Sequence, residues 1–184
     1  MIRPATGADA DAIAAVYVPS FRSLSFLPVV HSDDEIRAWI RDVLLPSQEV
    51  WLAEEDGRVV GVAALSADAL DQLYVHPDAQ RRGVGAELLA TAKARRPNGF
   101  TLWVFQQNTG ARRFYERHGC RLVRLTDGSG NEERTPDALY EWVPDPDMSP
   151  SGEAGADAAE MSGRSGASSG DPVGRDRSSR SDLV

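Results

Sequence analysis

The run Leu70-Asp71-Gln72-Leu73-Tyr74-Val75-His76-Pro77-Asp78-Ala79-Gln80-Arg81-Arg82-Gly83-Val84-Gly85-Ala86-Glu87-Leu88-Leu89 constrains the fold more than any other stretch. It predicts a strand, a glycine loop and a helix. Leu70, Leu73, Tyr74 and Val75 form a short β-prone apolar run. Pro77, which lacks a backbone donor, ends it. Leu88, Leu89, Ala92 and Lys93 fall at helical spacing, so an amphipathic helix begins near Val84. Glycine in the connecting loop lets backbone N–H groups approach a ligand with no Cβ in the way. The first helical turn adds unpaired N–H groups and a positive dipole end. Together they suit a pyrophosphate. Arg81 and Arg82 place positive charge where phosphates would arrive.

Two common phosphate loops are excluded. A P-loop requires Gly-x-x-x-x-Gly-Lys-Ser/Thr, and no such run occurs. The dinucleotide fingerprint requires Gly or Ala three residues after its second glycine, where this chain has Leu88. A generic nucleotide-binding α/β protein therefore fails on both counts. What remains, Gln80-Arg81-Arg82-Gly83-Val84-Gly85, closely resembles the acyl-CoA pyrophosphate loop (Gln/Arg-x-x-Gly-x-Gly/Ala) of the GNAT superfamily of N-acetyltransferases. The preceding Leu73-Tyr74-Val75-His76-Pro77 is similar to that family's central strand.

A second segment carries the same resemblance. Asn108-Thr109-Gly110-Ala111-Arg112-Arg113-Phe114-Tyr115-Glu116-Arg117-His118-Gly119-Cys120 is similar to the family's Asn-x-x-Ala-x-x-Phe-Tyr-x-x-x-Gly-Phe. Ala111 and Tyr115 are four apart and share a helix face, so a small residue sits beside the phenol. Cys120 departs from the usual Phe and reads as a small hydrophobe. Tyr115 by spacing alone is a core residue, and Asn108 alone is a helix N-cap.

The resemblance implies a mixed α/β fold with helices on both faces of the sheet. Two parallel central strands splay apart, and the pantetheine arm of acetyl-CoA enters between them. Backbone groups of Leu73, Tyr74 and Val75 would pair with that arm as an added strand. The loop Gln80, Arg81, Arg82, Gly83, Val84, Gly85 and Ala86 would hold the pyrophosphate. Asn108 would contact the cofactor, and Tyr115 would protonate the leaving thiolate. A backbone N–H at Val75 is the family-based donor to the developing oxyanion. The acceptor amine presents the harder problem, because an alkylamine is neutral in only roughly one molecule in 2,500 at pH 7. Asp71 on the central strand, or Glu132 or Glu133 before the last strand, would accept its proton; each also reads as an ordinary surface carboxylate. The resemblance implies an acceptor that is a primary amine of a small molecule or peptide, attacking directly in a ternary complex. A non-catalytic acyl-CoA sensor is the alternative, since it needs the loop but no acid at Tyr115. A homodimer is compatible with the chain, with no interface legible.

Composition sets the remaining bounds. The chain has 184 residues, 41% of them hydrophobic, enough for one domain with a substantial core. A single cysteine excludes an internal disulfide. His31, His76 and His118 are isolated from one another and from Cys120, so no metal is expected. The net charge of −8 argues against nucleic-acid binding. No run approaches the ~20 apolar residues of a membrane span, and the N-terminus lacks signal-peptide character. A soluble cytoplasmic protein is the expectation.

In chain order, Ile2 to Ala5 predicts a strand, with Thr6 as N-cap of a first helix. Ala12, Ile13, Val16 and Tyr17 mark its buried face, and it is expected to stop before Pro19. Phe21 to Val30 reads either as a hydrophobic loop on the core or, by the resemblance, as part of the acceptor site. Ser32-Asp33-Asp34-Glu35 is a capping box. It opens a helix with Ile36, Trp39, Ile40 and Val43 inward, ending before Pro46. Strands on either side of Asp56-Gly57 form a hairpin. The strand Phe100 to Phe105 follows a helical crossover, so it should run parallel to the strand at Leu73. A helix from Thr109 to His118 and strands over Cys120 to Thr126 and Ala138 to Val143 complete the domain, residues 1–144. Residues 145–184 hold nine Ser, six Gly and no aromatic, which predicts a disordered tail.

Overall fold

A computed structural model describes residues 1–144. The expected tail lies outside the described residues. Strand β1 is Ile2–Pro4, and helix α1 is Ala10–Arg22. Helix α2 begins at Asp33–Trp39 and continues through a π-helical segment, Ile40–Leu44, into a last turn, Leu45–Ser47. Strands β2 (Glu49–Glu55), β3 (Arg58–Leu65) and β4 (Leu70–Val75) precede helix α3 (Val84–Arg95). Strand β5 (Phe100–Phe105), helix α4 (Thr109–Arg117), β6 (Arg121–Leu125) and β7 (Asp137–Trp142) follow.

The sheet is divided. One half has the order β1-β2-β3-β4 and the other β5-β7-β6, with antiparallel neighbours throughout. The halves meet at one parallel bridge between Ala69 and Thr101, where the Thr101 N–H donates to the Asp68 carbonyl at 3.0 Å. The strands β4 and β5 therefore run parallel and separate beyond that bridge, as the resemblance predicted.

Alternation along the strands builds two cores. Ile13, Val16, Ile36, Ile40 and Leu44 of α1 and α2 cover Leu52, Val62, Ala64, Tyr74 and Phe105 on one face. Leu88, Leu89 and Ala92 of α3, with Ala111 and Tyr115 of α4, cover Leu73, Val75, Leu102 and Val104 on the other. Gly61 of β3 allows close approach of α3. A Cβ there would stand 2.9 Å from both Leu88 Cδ1 and Val84 Cγ1. The first turn of α3 is thereby seated directly on the sheet.

Two helix ends differ from expectation. Helix α1 runs through Pro19 to Arg22. The ring removes one donor, but the carbonyl it would have served belongs to Ala15, on the exposed side of the helix. Helix α2 likewise passes Pro46. The wider π turn immediately before it relieves the press of a proline ring on the carbonyl four residues back. That turn also shifts the inward face: Leu44 is buried, whereas Val43 is 49% exposed.

Candidate active site

The outer end of the β4–β5 gap is the glycine loop. Gly83 caps α3 at φ 91°, a left-handed conformation that disfavours any side chain. The first intrahelical bond runs from the Glu87 N–H to the Gly83 carbonyl at 3.1 Å. The N–H groups of Val84, Gly85 and Ala86 precede it and have no helical acceptor. Nothing lies within 4 Å of where a Gly83 Cβ would stand, so the approach to that helix end is open. Arg81 is exposed and also left-handed, at φ 62°. Arg82 instead joins Glu55, Nη1 to Oε2 at 2.8 Å, in an exposed pair. Gln80 turns inward, and its Nε2 donates to the Val75 carbonyl at 3.2 Å, tying the loop to the end of β4.

Along the gap, the register sets which backbone groups are available. The His76 N–H donates to the Val60 carbonyl at 2.8 Å. Antiparallel alternation then directs the backbone groups of Tyr74 at β3 and those of Leu73 and Val75 into the gap. Of the three residues expected to pair with a cofactor arm, two are thus oriented for it. Tyr74 is used by the sheet instead. The Val75 carbonyl is already engaged, since Ser20 Oγ lies 2.9 Å from it and 2.6 Å from the Val16 carbonyl.

Asn108 and Tyr115 flank the gap from the β5 side. Asn108 Oδ1 accepts the Ala111 N–H at 3.1 Å, so the residue is the N-cap of α4. Its Nδ2 is buried with no hydrogen-bond partner among the described residues. Cap and ligand contact are compatible, because they use different atoms. Tyr115 is fully buried on the α3–α4 face, in the same core as Leu73, Val75 and Val104. Its ring meets Phe114 edge-on at 5.2 Å. Cys120 is also buried, and burial pushes its thiol up to about 11. It is a neutral packing group at pH 7.

On the opposite face lies a cavity of about 370 Å³, lined by Tyr17, Phe21, Val30, His31, Glu35, Ile36, Trp39, Glu132 and Glu133. Tyr17 and Trp39, read from sequence as inward helix positions, are only half-buried because they face this space. The Tyr17 ring lies 4.3 Å from that of Tyr74, so the cavity begins beside β4. His31 Nε2 contacts Glu132 Oε1 at 2.8 Å. Glu35 accepts from the Ser32 N–H and hydroxyl, both at 2.8 Å, in the expected capping box. Those bonds hold its carboxyl below the usual range. Among the described residues, no Lys or Arg lines the cavity.

The loop carrying Glu132 and Glu133 is clamped from beneath. Asn131 Nδ2 donates to the Thr135 carbonyl at 2.7 Å and to Asp137 Oδ2 at 3.3 Å. The Thr135 N–H returns a bond to Asn131 Oδ1 at 3.1 Å, and Thr126 Oγ1 donates to Asp137. Asn131, Thr135 and Asp137 are all buried. From sequence this stretch is marked only by the carboxylates Glu132 and Glu133 ahead of the last strand. The four-residue spacing of Asn131 and Thr135 was the clamp's one signal.

The three candidate proton-transfer residues are not brought together. Alternation places Asp71 with Leu73 and Val75 on the α3–α4 face, while Gln72 and Tyr74 face α1. Glu132, paired with His31, and Glu133 line the cavity, and Asp71 does not. Among the described residues no group of three or more His, Cys, Asp or Glu could hold a metal ion. No helix among them is long and apolar enough to cross a membrane.

Comparisons with known proteins agree with this architecture. Residues 46–120 match the family model described as an acetyltransferase (GNAT) domain. The chain is 35% identical over 85 residues to the peptidyl-lysine N-acetyltransferase YiaC of Escherichia coli K12, covering 46% of this chain and 58% of that relative. It is 31% identical over 147 residues to an uncharacterized N-acetyltransferase of Archaeoglobus fulgidus, covering 71% of this chain and 99% of that protein. The solution structure of apo YjaB from Escherichia coli superposes with a TM-score of 0.64 at 25% identity, covering 78% of this chain and 97% of that one. By the family model and by its likeness to a relative covered over nearly its whole length, the chain belongs to the GNAT superfamily of N-acetyltransferases.

Proposed function

We propose that the protein moves an acetyl group from acetyl-CoA to a primary amine, by direct attack while both substrates are bound. The observation that carries this reading is the gap between β4 and β5, with an anion-suited helix end at its mouth and an acidic, aromatic cavity beside it. The residues present fit such a co-substrate. The Gly83 approach is open, and the Asn108 amide is a buried donor awaiting a partner.

Acetyl-CoA would supply an acyl carbonyl already activated as a thioester. The N–H groups of Val84, Gly85 and Ala86, with Arg81, would hold its phosphates. Val75 and Leu73 would direct N–H groups at the carbonyl oxygen as negative charge develops. Tyr115 would donate a proton to the departing sulfur from the α4 side. The amine would enter from the α1 side, and Glu133 would take its proton, directly or through water. This assignment favours Glu133 over Asp71, because Asp71 belongs to the face away from the cavity. The carboxylates and rings suit a cationic alkylamine on arrival. A lysine side chain, the acceptor named for YiaC, is one such group.

Calorimetric titration with acetyl-CoA, CoA and ATP, followed by thiol release on a panel of small amines and lysine peptides, tests the proposal. Binding of both CoA species but not ATP, with thiol release on one amine class, is expected. Absence of CoA binding would overturn it.

A further inference from the structure

Gln72 sits at the middle of β4, three residues from the bridge at Ala69 and three from Val75. It is 1% exposed. Both Nε2 and Oε1 lack a hydrogen-bond partner among the described residues. Its register partner Ala64 and its neighbour Tyr74 both belong to the apolar core under α1 and α2. A carboxamide in such surroundings is costly unless something satisfies it. Neither the sheet nor the packing requires an amide at this position. Leu or Met would fill similar volume without the penalty.

Gln72 also stands where the two strands have already parted, because their single bridge lies behind it. The anion-suited loop lies ahead of it, beyond Val75. Three strand residues span roughly 10 Å. An extended arm entering from the loop therefore reaches Gln72 with its inner, reactive end rather than with its phosphates.

We propose that the Gln72 carboxamide contacts the acyl head of bound acetyl-CoA, its Nε2 donating to the thioester carbonyl oxygen. The inference rests on the acyltransferase reading above. It adds a side-chain donor from β4 beside the backbone N–H groups of Leu73 and Val75. It also accounts for the retention of an amide within an apolar face.

The test compares wild type with Gln72→Met and Gln72→Leu, the second guarding against misfolding of the first. Each is titrated with acetyl-CoA and with CoA, and each is melted without ligand. Removing the amide should raise the unliganded Tm by roughly 2–4 °C. The Kd for acetyl-CoA should weaken by roughly 3- to 10-fold, while that for CoA stays within about twofold. A fall in Tm for both variants would mean that Gln72 has a structural partner, and would overturn the proposal. So would an unchanged acetyl-CoA affinity, or equal weakening for both ligands, which would locate the contact on the arm. Wild-type protein that binds neither CoA species would instead remove the acyltransferase reading, and this inference with it.

Discussion

His31 Nε2 lies 2.8 Å from Glu132 Oε1 across 101 residues of sequence. The pair joins the segment after α1 to the loop before β7, and both residues line the cavity. Both side chains are nearly half exposed, at 48% and 43%. Such a pair contributes about 0–1 kcal/mol to stability. Its consequence is geometric, because it ties two walls of one cavity that share no secondary structure. Breaking it with His31→Ala should lower the Tm by no more than roughly 4 °C, as differential scanning calorimetry would read. A larger fall would mean that the contact bears on the fold itself.

The clamp beneath Glu132 should matter more. Asn131 is 5% exposed and uses both ends of its amide. Asn131→Ala leaves the Thr135 N–H and carbonyl without those partners, at a cost of about 1–3 kcal/mol. The Tm should fall by several degrees, while affinity for CoA should remain within about twofold, since the loop borders the cavity on the side away from the glycine loop. A variant with wild-type Tm would show the clamp to be dispensable.

At Gly83, backbone and ligand requirements coincide. A side chain at φ 91° costs about 1 kcal/mol or more, and it would project into the open approach to the first turn of α3. Gly83→Val should therefore lower the Tm modestly and weaken CoA binding by at least about 100-fold. Calorimetry separates the two effects. Retained affinity would remove this loop as the phosphate site.

Tyr115 is buried beside the gap, so Tyr115→Phe changes one hydroxyl and almost no packing. Turnover should drop by roughly 10- to 100-fold. The Kd for acetyl-CoA should hold within about twofold. The loss should be greatest at high pH, where solvent supplies the fewest protons to the departing thiolate and the amine is most often neutral. Full activity across the pH range would eliminate Tyr115 as the acid.

Asp9 provides a pH test of the N-terminal framework. Its carboxylate takes Arg3 Nη1 at 3.0 Å and Nη2 at 2.7 Å, and Arg3 also reaches Glu54. The Arg3 guanidinium holds the Asp9 carboxyl well below the usual carboxylate range. A depressed folded pKa adds stability above the unfolded value, near 3.9, and that stability is lost as pH falls toward the folded value. Wild type should exceed Asp9→Asn in Tm at pH 7. The difference should shrink steadily once the pH drops below about 4, as melts across pH would record.

Much of the fold was legible because its signals are local. The Ser32–Glu35 capping box, the Asp56-Gly57 turn and the Gly83 helix start each depend on residues within four positions of one another, and each formed as read. Pro19 and Pro46 misled, because a proline ends a helix only where the displaced carbonyl has nowhere else to go. Here one such carbonyl faces the exposed side and the other is relieved by a π turn.

The local chain thus determined the strand, the glycine loop and the capped helices. Only the tertiary structure decided which side of the sheet each group serves. Asp71 and Gln72 are adjacent in sequence, yet alternation sends one toward α3 and the other toward α1. Glu133 joins Tyr17 and Trp39 around one cavity through a loop whose position is set by Asn131 and Asp137. The physical reason is that backbone hydrogen bonding and capping act over a few residues, whereas a cavity exists only where distant faces close on each other and leave space between them.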